Sequence, residues 1–261
     1  MIEWLFHFND LIVGSIITVL FLTMALCLIT LVRWFPRPEK LTALHCSSPD
    51  LTMLLSIVFG LMIGFLASEV EGRNEKATNA VNAEANALQN IASMLIARTP
   101  EVENVRRATT TYIRSVLLTE LSGRQSGTAS LAASKSMVVL FQSAIALAAA
   151  NASADAVSSR VLDLVVKASE ARASRLAIAE ASVNELKWWL VCFLLFALQV
   201  SIVLVHVTTP RTMAIVLLVV SFAGSVTVAA VAMQEDPFSP PRMVSVVPLK
   251  MALKAFGATE Q

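Results

Sequence analysis

In the stretch SIVFGLMIGFLASEVEG a small residue recurs at every fourth position: Ser56, Gly60, Gly64, Ser68 and Gly72. Neighbours at that spacing touch along one slowly winding row of a helix, and the row runs into Glu69, Glu71 and Arg73. In a membrane such a row has two uses. It lets a second helix approach closely, or it lines a narrow ion pathway whose mouth the charges ring. The other polar groups in apolar surroundings are Gln199, Ser201, Ser221, Ser225 and Thr227. Gln199 suits an interhelical hydrogen bond, typically worth about 0.6 to 2 kcal/mol, with a pore-lining role as the sharper alternative. Ser221, Ser225 and Ala229 form a second small row, so contact between the two rows within one chain competes with the pore reading.

No other constellation points to chemistry. The chain has no phosphate-binding Gly-rich loop with Lys and Ser/Thr, no HExxH and no GxSxG. His7, His45 and His206 fall at segment ends or in loops. Cys27 and Cys192 lie inside apolar runs and Cys46 in a loop, which gives neither a disulfide framework nor a metal pair. We expect no enzyme, no cofactor and no metal.

The elements that must position these residues are membrane helices. Of 261 residues 56% are hydrophobic and 15% charged, with a mean hydropathy of +0.69, outside the range of soluble domains. Uncharged runs predict four transmembrane helices in two hairpins: about 11–34 and 51–68, then about 188–207 and 212–233. Runs of this length cover roughly the 30 Å of a hydrocarbon core. Trp4 and Trp34 flank the first run, and Trp188 and Trp189 stand at the entrance of the third, where indole rings prefer to sit. The first run has no preceding Lys or Arg and no cleavage site, so it reads as a span rather than a signal peptide.

Between the hairpins, 69–187 is alanine- and serine-rich, with 13 Lys and Arg against 12 Asp and Glu and one proline. This composition favours helix over sheet, and its near neutrality gives no steering field for nucleic acid. Helix faces follow from spacings of three and four: Val102, Val105, Thr109, Tyr112 and Val116; Leu131, Ser134, Val138, Phe141 and Ile145; Val157, Val161, Leu164, Ala168 and Ala171. Val81, Leu88 and Leu95 repeat every seven residues. Breaks at 98–101, 122–130 and 151–155 divide the region into four helices. No polar break separates it from the second or third membrane helix, so both are expected to run on into this bundle. In 234–261 a Pro-rich turn precedes a short amphipathic helix in which Val246, Leu249, Leu253 and Phe256 share a face. That helix lies on the membrane surface or docks on the bundle.

The charged turn RWFPRPEKLTALHCSSPD, the helix running into EVEGRNEKATNAVNAEANALQNIASM, the second hairpin and the closing DPFS resemble the bacterial bestrophin-like domain family over nearly the whole chain. EANAL (84–88) and Asp236, Pro237 and Phe238 carry the resemblance most specifically. It implies a layout like that of bestrophins, which form rings around an anion pore lined by the second membrane helix, with a gate of bulky apolar residues. Val58, Phe59, Met62, Ile63, Phe65 and Leu66 are the residues here that can supply one. It implies a homo-oligomer in the bacterial cell membrane, with lipid and a small inorganic anion as partners. The basic short loops (Arg33, Arg37 and Lys40; Arg211) place the bundle outside by the positive-inside rule, whereas the resemblance places it in the cytoplasm. The alternative function is a membrane-anchored sensor or scaffold whose bundle binds a partner.

Overall fold

The computed structural model of the chain describes residues 10–34, 49–96, 99–121, 130–150, 156–181, 184–206, 209–238 and 244–257. The basic turn around Arg37 and Lys40, with His45 and Cys46, lies outside them. The regular elements among the described residues are helices: α1 Asp10–Trp34, α2 Pro49–Met94, α3 Pro100–Ser115 with a π-helical turn Val116–Glu120, α4 Leu131–Ala150, α5 Ala156–Glu180, α6 Glu185–Val205, α7 Pro210–Ala232 and α8 Val247–Ala255. Their starts have local causes. Pro100 and Pro210 occupy first-turn positions, where a missing N–H costs nothing. Thr99 caps α3, its hydroxyl accepting from the Val102 N–H at 3.4 Å.

The chain packs as two units. The first comprises Met1–Glu71 and Val183–Glu235, the second Gly72–Ser182 and Asp236–Gln261. In the first, α1 packs most extensively on α7, and α6 lies against both. Its core joins Phe21, Ile63, Leu66, Val70, Val191, Leu195 and Val228, while Ala25, Ile29, Leu198, Ile202, Met213 and Leu217 form a second cluster. Around these cores the outward face is apolar: Leu20, Phe193, Ile215 and Phe222 are all exposed. Such a surface matches a hydrocarbon solvent.

The second unit is a helical bundle around Val81, Leu88, Ile91, Val105, Ile113, Leu140, Val161 and Val165. Here α8 docks, burying Leu249, Ala252, Leu253 and Phe256. Gln89 Nε2 donates to the Pro248 carbonyl at 3.3 Å. Phe238 is buried in the same core, and its N–H donates to Asp236 Oδ1 at 2.9 Å, so Asp236-Pro237-Phe238 is a turn that tethers the tail.

Three expectations need correction. The second membrane helix does run unbroken to Met94, but the third does not continue the bundle. Helix α5 stops at Glu180, and Asn184 caps a new helix by accepting from the Leu186 N–H at 2.9 Å. An Asn carbonyl offered to a free N–H competes with helix propagation. The face assigned to α4 is also wrong. Leu131, Val138 and Ile145 are exposed, whereas Ala133, Met137, Leu140, Ala144 and Leu147 are buried. Both stripes are apolar, and the one rich in alanine permits closer packing. On α5, Val157 is exposed while Val161, Leu164, Ala168 and Ala171 are buried as read. Among the described residues α4 is also long and apolar enough to cross a membrane, beside the four expected spans.

Candidate functional site

Ser56, Gly60, Gly64 and Ser68 are all exposed. A Cβ placed on Gly60, Gly64 or Gly72 would meet no atom within 4 Å. Ser56 turns its hydroxyl back to the Thr52 carbonyl at 2.7 Å. Helix α2 enters the core of its unit through Ile63, Leu66 and Val70, away from the bare row. The row on α7 is used otherwise: Ser221 receives a hydrogen bond from Gln199 on α6, and Ala229 lies 3.6 Å from where a Gly14 Cβ would stand on α1. The expected pairing of the two small rows within one chain is therefore absent among the described residues, because α1 and α6 already occupy the α7 row.

Of the six bulky gate candidates, Ile63 and Leu66 are buried in that core and Phe59 and Met62 pack against it. Val58 and Phe65 stay exposed, as do Ile57 and Leu61 beside the row. Two of the three mouth charges are engaged. Glu69 pairs with Lys187 at 2.5 Å, and Arg73 Nη2 donates to the carbonyls of Ile178 and Ala181 at the end of α5, where a cation suits the helix dipole. Glu71 is exposed.

Gln199 is fully buried. Its Nε2 donates to Ser221 Oγ at 2.8 Å and to the Phe21 carbonyl at 3.3 Å, tying α6 to α7 and α1. Ser225 is buried and its hydroxyl donates to the Phe222 carbonyl. Thr52 and Ser201 hydroxyls, 2.6 Å apart, join α2 to α6. Gln199 and the Thr52–Ser201 pair fasten helices together, as expected for Gln199, while the Ser225 bond stays within α7.

The bundle holds a charge network that no catalytic or binding motif in the sequence marks. Glu84, Glu120 and Arg175 are all fully buried. Tyr112 Oη donates to Glu84 Oε1 at 2.5 Å, and Arg175 Nε donates to Glu84 Oε2 at 2.9 Å. Arg175 Nη2 donates to Glu120 Oε2 at 2.8 Å. Arg172 engages both Glu120 oxygens and donates to Ser134 Oγ at 2.9 Å, and the Ser130 N–H donates to Glu120 Oε1. Two carboxylates thus meet two guanidiniums, and the cluster is neutral. Arg175 Nη1 has no partner among the described residues.

The signal for this network was present as charges falling on apolar stripes. Heptad positions Val81, Leu88 and Leu95 imply companions at 84 and 91, which are Glu84 and Ile91. The α5 stripe, continued four residues past Ala171, reaches Arg175. The α3 stripe ends at Val116, and its next step of three would reach Thr119. The π turn, closed by the Leu121 N–H to the Val116 carbonyl at 3.0 Å, inserts one residue and delivers Glu120 instead.

Electrostatics follow from the packing. Burial raises the Tyr112 hydroxyl well above its ordinary value, and the Glu84 charge adds to this. Burial also pulls Glu120 up, but hydrogen bonds from Arg172, Ser130 and Arg175 outweigh it and hold the carboxyl below its ordinary value. Arg175 is opposed by burial, yet the two carboxylates keep it firmly charged.

Comparison with known proteins agrees with this architecture. A crystal structure of a bacterial bestrophin homolog from Klebsiella pneumoniae carrying a single substitution superposes with a TM-score of 0.73 at 11% identity, covering 92% of this chain and 96% of that one. The same homolog solved by Zn-SAD phasing gives 0.71 at 14%, covering 93% and 96%. No protein of curated function matches the sequence. The family model of the bestrophin-like domain matches residues 19–249. The chain accordingly belongs to the bestrophin-like domain family.

Proposed function

We propose that the protein is an ion channel of the bacterial cell membrane, in which copies of the chain form a ring and each contributes the bare row of α2 to a shared pathway. One observation carries this reading: Ser56, Gly60, Gly64 and Ser68 form a continuous exposed row that no described helix of the same chain covers. A small-residue row excludes no lipid by itself, and its usual partner is another helix. With the α7 row occupied, the partner is a second copy. In a ring, Ile57, Leu61 and Phe65 on the adjoining exposed strip form the apolar constriction. The α4 face with Leu131, Val138, Val139 and Ile145 is further apolar surface for neighbouring copies to cover. We place α4 outside the bilayer with the rest of its unit, which leaves four spans.

The scaffold reading rested on the lack of a buried charge in the membrane segments and on two helices continuous from bilayer to bundle. The break at Asn184 removes one of them.

The family resemblance implies an anion, whereas the exposed Glu71 favours cations near the row. Purified protein in liposomes is expected to pass current under a potassium chloride gradient. Gly64→Leu is expected to reduce it severalfold, because four added carbons per copy occupy space that is now open. Glu71→Lys is expected to move the reversal potential toward that of chloride. A silent bilayer at high protein load contradicts the reading.

A further inference from the structure

Four clustered charges and a buried tyrosine hydroxyl interrupt an otherwise apolar bundle, and stability is a poor reason for them. Replacing a buried ion cluster by packed apolar side chains is often neutral or stabilising, and the best-attested use of such groups is to fix register. Glu84 is suited to that use. It sits on the apolar stripe of α2 between Val81 and Leu88, and its two oxygens are held from different helices, Tyr112 on α3 and Arg175 on α5. Apolar contacts tolerate a small slide or rotation of α2, but a carboxylate with two separately directed donors does not. Arg175 carries the constraint to Glu120, which the π turn aims inward. Such local widening of a helix is frequent at functional positions.

We infer that this network is a register pin on α2 that sets how often the pathway opens. Helix α2 is one element from Pro49 to Met94, so the residue that is pinned and the row that borders the pathway belong to the same helix. Arg175 Nη1 is buried without a partner among the described residues, so the pin holds its place with one donor unused. Two settings of α2, one with the Glu84 bonds made and one with them broken, are the two-state element that coupling between separated sites requires. The inference rests on the channel reading and adds the residues that control it.

The test uses the full chain in liposomes and planar bilayers. Tyr112→Phe removes one donor to Glu84 and leaves every charge in place. A second variant replaces the whole cluster with apolar side chains: Glu84→Leu, Tyr112→Phe, Glu120→Leu, Arg172→Leu and Arg175→Met together. Both are checked for helix content and oligomer size. Open probability is expected to change by about two- to thirtyfold, the range seen for substitutions along coupling networks, with Tyr112→Phe shifting in the same direction as the full replacement. Unitary conductance and reversal potential are expected to stay at wild-type values, an outcome that loss of fold does not produce. Wild-type open probability in Tyr112→Phe overturns the inference while leaving the channel reading intact, and this variant decides the matter if the full replacement does not assemble. A wild-type protein that carries no current overturns both.

Discussion

Arg175 illustrates how much a single buried side chain constrains. It serves Glu84 and Glu120 at once, so Arg175→Met alone leaves two carboxylates buried and underpaired. Breaking a buried pair in this way costs about 3–5 kcal/mol, and thermal unfolding in detergent is expected to show it as a large loss of melting temperature. The pH dependence has a definite sign. Glu120 is held below its ordinary value, so the folded state binds the proton less readily than the unfolded chain. Its contribution is fully present above the unfolded carboxylate value of about 4.3 and is lost as pH falls through the lower folded value. Glu120→Gln is expected to flatten the stability profile below about pH 4.5, measured by unfolding midpoints across acid buffers. Charge at 84, 120 and 175 was visible in the sequence, but the stripes themselves were read as apolar. A charge on a core stripe signals a partner on another stripe, and the three stripes together locate the network.

At the scale of elements, α2 was legible because no residue between Ser68 and Met94 offers a stop. Gly72 is the weak point within it, a helical glycine with open space where a Cβ would go. Gly72→Ala is therefore expected to stabilise by about 0.5–1 kcal/mol, with the gain seen in unfolding midpoints and no change in conductance. The α6 start was missed because Asn184 sits in a run without glycine or proline, and capping depends on which way one side chain turns. The buried side of α4 was undecidable from spacing alone, since Leu131, Val138 and Ile145 alternate as regularly as Ala133, Met137, Leu140, Ala144 and Leu147. Packing chose the stripe with smaller residues. The tail was open between membrane and bundle, and Leu249 and Phe256 settle it by entering the bundle core beside Phe238.

For the whole molecule, the two rows of small residues have different fates. Ser221 and Ala229 are spent inside the chain, and the α2 row is left outward. The same exposure marks α4, where Val138 and Ile145 are each 54% accessible. Ile145→Arg is expected to lower the oligomer size seen by light scattering if neighbouring copies cover that face, while helix content is retained. The central claim is that the α2 row faces water in the assembled ring. It is tested most directly by placing single cysteines at Gly60 and Gly64 in a chain whose own Cys27, Cys46 and Cys192 are serine, then applying a charged, membrane-impermeant thiol reagent during flux. Both positions are expected to react, with current falling as they do. Cysteines at both positions that react only with a lipid-soluble reagent, with current undiminished, would contradict the claim.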